Sequence, residues 1–222
     1  MTFAKITALK KSQIDFCVDS TVEHLQSISD FIVVLAALMG FGLGFGVIKM
    51  LGAELEALTP IIQALLFNKL ASFLVLSVLA MRLVISHIQA KNVQLSMNMG
   101  PRLLACVLTA NLGVGLFLCV ALLAYVAGAE LSQTQSGFGW DAINYLGDQA
   151  QFSFLPRMLM KVSIQALVLS WLSHFLDHWD RSFSDSGKTE NSRTATRLLM
   201  LMVLTLVVIE TLDSYLSWIW TL

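Results

Sequence analysis

Five charged residues stand inside otherwise apolar stretches: Lys69, Arg157, Lys161, Glu210 and Asp213. Each would cost about 2.5–3.5 kcal/mol or more at mid-depth of a bilayer if it faced lipid, so all five are expected to face inward. Glu210 and Asp213 are three residues apart and Arg157 and Lys161 four apart, so each pair shares a helix face. The acidic pair falls roughly half-way along the last apolar stretch, and the basic pair near the start of the one before it. A carboxylate at such a depth must be neutral or find a cation, and Lys69 and Lys161 are the candidates for Glu210. Two readings stand for these groups: salt bridges that only fix helix packing, and a polar pathway that contacts a head group.

Other residue patterns carry less chemistry. Gly40, Gly42, Gly44 and Gly46 form two overlapping small-xxx-small pairs, which either let helices approach closely or narrow one wall of a substrate cavity, with Gly42 and Gly46 as the pathway candidates. Asn111, Gly113 and Gly115 have the same two readings. His174 and His178 share a spacing that can hold a metal, with Asp177 and Asp180 nearby, but no Cys or third His lies close in sequence and no metal site is expected. Ser186-Gly187-Lys188-Thr189 resembles the end of a phosphate-binding loop, yet Ser182 stands where the first glycine is required and no strand precedes it. Nothing in the chain arranges Ser-His-Asp or Cys-His for nucleophilic catalysis. No enzymatic activity is expected of this chain.

The elements that must position these residues follow from composition. The chain has 222 residues, 56% of them apolar and only 13% charged, with a net charge of −1. Soluble domains carry about 25% charged residues, so these values indicate an all-α polytopic membrane protein and exclude a nucleic-acid-binding or disordered chain. Cys106 and Cys119 lie about 20 Å apart along one helix, too far to bridge, and Cys17 is expected to be a free thiol as well. No apolar run precedes Phe31, which argues against a cleaved signal peptide. Residues 1–30 place Ile14, Val18, Val22, Leu25 and Ile28 on one face and Asp15, Asp19, Glu23 and Asp30 on others, the pattern of an interfacial amphipathic helix, with a cytosolic extension packed on a partner as the other reading. Residues 31–222 then read as a five-span domain: Phe31 to Ile48, Thr59-Pro60 to Met81, Leu103 to Gly128, Pro156 to Phe175 and Leu198 to Leu222.

Basic residues orient these spans. With the N-terminus in the cytoplasm, Lys5, Lys10, Lys11, Arg82, Lys91, Arg102, Arg181, Lys188, Arg193 and Arg197 all fall inside, ten of the fourteen Lys and Arg. An odd number of spans then leaves the C-terminus in the periplasm, beside Tyr215, Trp218 and Trp220.

Several strings in order resemble the MlaE-type (YrbE) permeases, the membrane subunits of MCE-associated lipid ABC transporters. They are Pro60 with Ala64-Leu65-Leu66-Phe67; Leu79-Ala80-Met81-Arg82; Pro101-Arg102; Ser136-Gly137-Phe138-Gly139-Trp140; Lys161 with Ser163; Trp171-Leu172-Ser173-His174-Phe175; and Ser192-Arg193-Thr194-Ala195-Thr196-Arg197. Coverage runs from about Phe31 to the C-terminus. The family's Gly-Arg pair after the Pro-led segment is replaced by Asn68-Lys69, and the segment from Val84 to Val93 carries His87, Gln89 and Lys91 where the family commonly has acidic residues.

The resemblance implies an inner-membrane permease that moves phospholipid between membranes. It implies as partners a second permease copy in a homodimer, a cytoplasmic ABC ATPase contacted through Arg82, His87, Gln89 and Lys91, and a periplasmic MCE-domain protein. ATP and magnesium would be bound by the ATPase, with no cofactor in this chain. Two other classes share the composition: an ion- or proton-conducting channel subunit that uses Glu210 and Asp213, and a scaffold in which the charges only fix packing.

Overall fold

The computed structural model describes residues 3–51, 69–90, 99–132, 154–183 and 190–221. They form five α-helices: α1 (Phe3–Leu51), α2 (Ala71–Ala90), α3 (Met99–Ser132), α4 (Phe154–Phe183) and α5 (Glu190–Thr221). Four contain stretches long and apolar enough to cross a membrane, namely Gln13–Phe45, Gly100–Gly128, Pro156–Phe175 and Thr196–Tyr215, and Ala71–Ile85 is a shorter apolar helix. An α-helix satisfies its backbone hydrogen bonds within itself, which is what a chain without water around it requires. The start expected for the second span, at Thr59-Pro60, lies outside the described residues, as do Ser136 to Trp140 and Ser186 to Thr189.

The element boundary expected between Asp30 and Phe31 is absent. α1 runs unbroken from Phe3 to Leu51. No Pro or Gly occurs between Phe3 and Met39, so nothing interrupts the hydrogen-bond ladder where charged sequence gives way to apolar. Within the protein Cys17, Thr21 and Ile28 of α1 are buried, whereas Ile14, Val18 and Val22 are exposed. Thr21 is tolerated inside because its hydroxyl donates to the Cys17 carbonyl at 2.7 Å, leaving no donor unmet.

The chain groups into two compact units. The first comprises Met1–Ile28, Leu76–Asn111 and Lys161–Leu222, the second Ser29–Val75 and Leu112–Met160. In the first, Leu76, Leu79, Ala80 and Leu83 of α2, Ala105, Cys106, Thr109 and Ala110 of α3, and Val162, Ala166 and Leu169 of α4 are buried at helical spacing. α5 contributes a narrow stripe of Leu198, Met202 and Leu206. Thr109 bonds back to the Ala105 carbonyl at 2.8 Å, and Asn111 Nδ2 donates to Ser163 Oγ at 2.9 Å, tying α3 to α4.

In the second unit α1 and α3 cross at backbone contact. A Cβ on Gly40 would overlap the Ala121 carbonyl, and one on Gly128 would lie 2.6 Å from the Phe41 carbonyl oxygen and 2.9 Å from the Phe45 nitrogen. The small residues therefore work as packing glycines at Gly40 and Gly128, with Gly44 buried beside them. A Cβ on Gly42 would meet nothing within 4 Å, so this glycine faces away from the contact. Cys17, Cys106 and Cys119 are free thiols.

Candidate functional site

Lys161 and Gln165 lie one turn apart on α4, and Glu210 and Asp213 one turn apart on α5, all within the first unit. Lys161 Nζ is 2.6 Å from Glu210 Oε2 and 3.2 Å from Asp213 Oδ2. Gln165 Nε2 donates to the other carboxylate oxygen, Glu210 Oε1, at 3.0 Å. Stepping forward along α4 from Lys161 to Gln165 moves the contact back along α5 from Asp213 to Glu210, so the two helices run antiparallel here. Of the cations expected for Glu210, Lys161 is in place.

Local sequence explains why these groups meet. Leu198, Met202 and Leu206 seat α5 at intervals of four, and Glu210 is the next position of the same stripe. On α4, Met158, Val162, Gln165, Ala166 and Leu169 are buried, with Lys161 at the edge of that face. Ser214 Oγ donates to the Glu210 carbonyl at 2.8 Å and holds a polar side chain close to the site.

Burial sets the energetics. Lys161 and Glu210 retain 11% and 15% of their side-chain exposure and Asp213 31%. Charges so enclosed need one another, because the loss of hydration must be offset by close pairing and hydrogen bonds. Antiparallel packing brings the acidic pair of α5 level with the lysine of α4.

The remaining candidates are dispersed. Arg157 lies one turn before Lys161 on an exposed part of α4. Lys69 sits in a wide π-type turn leading into α2, where Ser72 Oγ donates to its carbonyl at 3.0 Å. Arg82, expected to face a partner, donates from Nη2 to Glu23 Oε1 on α1 at 3.2 Å. His87 and Gln89 fall within α2 and Gly46 within α1, at positions whose surroundings are outside the described ones, and Lys91 lies outside the described residues altogether.

Gln165 and Glu23 are the residues that sequence reasoning missed. An amide one turn from a lysine in an apolar helix was the available signal for Gln165, whereas Glu23 is indistinguishable in sequence from any solvated acid. Chemically, the α4–α5 arrangement holds an ammonium between two carboxylates among apolar residues, and it can bind, orient or exchange a charged head group. The chain matches no protein-family model and no curated protein.

Proposed function

We propose that this chain is the multi-pass inner-membrane permease subunit of an ABC-type phospholipid transporter. In this reading its N-terminus is cytoplasmic and its C-terminus periplasmic. Two copies pair, an ATPase binds the cytoplasmic segment from Arg82 to Pro101, and an MCE-domain protein receives lipid on the other side. ATP is hydrolysed in the partner, and this chain supplies the passage.

The observation that carries the reading is the half-enclosed cluster of Lys161, Glu210 and Asp213 between two antiparallel apolar helices. A lipid path must offer fixed charge to a head group and apolar walls to acyl chains. The cluster offers the charge, and Met160, Ile164, Met200 and Leu204 expose apolar surface on the same two helices. Movement would come from a push on the cytoplasmic segment that shifts the balance between two helix arrangements.

The test is lipid transfer by the assembled transporter reconstituted in vesicles, comparing wild type with Glu210→Gln. A fall in transfer rate with assembly intact supports the reading. Normal transfer with lowered thermal stability makes the cluster a packing device, and proton flux abolished by the same change assigns the chain to channels instead.

A further inference from the structure

The α4–α5 site already binds a primary ammonium group, its own. Lys161 Nζ contacts Glu210 Oε2 at 2.6 Å and Asp213 Oδ2 at 3.2 Å, and among the described residues these are its partners. An alkylammonium carries three N–H donors and no acceptor. A third acceptor stands beside the two carboxylates. Gln165 is fully buried, its Nε2 is committed to Glu210 Oε1, and its Oε1 accepts no hydrogen bond. Both atoms belong to one planar amide, so the unmet oxygen lies next to the carboxylate that the amide nitrogen holds. Buried acceptors are nearly always met, and one left open beside a bound cation marks where a donor is still to come.

We propose that this site is a receptor for a primary ammonium group, occupied by Lys161 when no ligand is present and exchangeable for the ammonium of an amine-bearing amphiphile. The substrate class this assigns, an aminophospholipid, rests on the phospholipid reading above. Lys161 is rooted on α4 and spans across to α5, which commits its donors to the carboxylates. An ammonium that is not tethered to α4 can add Gln165 Oε1 and use all three donors. A trimethylammonium head has the same charge and none of the donors, so the site discriminates by hydrogen bonding and not by charge alone. A bare phosphate is repelled by Glu210 and Asp213.

The experiment titrates the purified full-length chain with dihexanoylphosphatidylethanolamine and its N-methylated series through phosphatidylcholine. In parallel it compares dodecylammonium with dodecyltrimethylammonium, with occupancy read by native mass spectrometry. The primary ammonium is expected to bind about tenfold more tightly than the trimethyl form in both series, weakening with each added methyl, as loss of charged hydrogen bonds requires. Gln165→Leu should reduce the preference to about threefold or less, and Lys161→Met should tighten ammonium binding by removing the competitor. Should either variant fail to fold, the wild-type comparison still decides. Equal affinity for ammonium and trimethylammonium in both series overturns the proposal. A preference among the amines without phospholipid binding keeps the ammonium receptor and rejects the lipid function; phospholipid binding without the preference does the reverse.

Discussion

Replacing Lys161 by Met should destabilise the protein far more than replacing Glu210 by Gln, although the two residues form one ion pair. Removing one partner of a fully buried pair costs about 3–5 kcal/mol, because the other charge is left enclosed. Lys161→Met takes the lysine from two carboxylates, those of Glu210 and Asp213, which it contacts at 2.6 and 3.2 Å. Both retain some exposure, so the expected cost is about 2–4 kcal/mol. Glu210→Gln keeps an oxygen for Lys161, leaves Asp213 as counter-ion and preserves a partner for Gln165, so it should cost only about 1–2 kcal/mol. The double variant should then cost no more than Lys161→Met alone, since one of the two carboxylates deprived of the lysine is then neutral, giving a coupling of about 1–2 kcal/mol. Reversible unfolding of the chain in mixed micelles, titrated with sodium dodecyl sulfate, measures all four corners of the cycle. Additivity within about 0.5 kcal/mol, or a Glu210→Gln cost equal to that of Lys161→Met, would refute the reasoning.

Further outcomes are expected. Gly40→Ala should lower stability by about 1–3 kcal/mol in the same unfolding titration, because its Cβ meets the Ala121 backbone, while Gly42→Ala should be neutral or stabilising by up to about 1 kcal/mol because its side meets nothing. Equal effects at the two positions would argue against the α1–α3 crossing. A periplasm-dependent reporter fused after Leu222 should be active, and cytoplasmic fluorescence from a fusion at the same point would reject the five-span orientation.

The helical membrane character was legible in the sequence because it depends on composition and run length alone: a chain this apolar and this poor in charge must satisfy its backbone in helices. That Glu210 must be neutral or meet a cation was equally readable, as an energetic requirement. Which of the two, and with which cation, was not. Lys69 and Lys161 meet the requirement equally in sequence, and only the antiparallel register of α4 and α5 brings Lys161 to the carboxylate. The glycine-rich run of α1 shows the same division. Four glycines spaced by two are alike in sequence, whereas the crossing against α3 buries Gly40 and leaves Gly42 open, because a helix turns 200° over two residues and can present only alternate members of such a run to one neighbour. On α1 the sequence places Ile14, Val18 and Val22 on one apolar face, while the structure encloses Cys17, Thr21 and Ile28. Hydrophobic pattern ranks the faces of a helix, but which face is enclosed depends on the neighbours that pack against it, and those are decided by the tertiary structure.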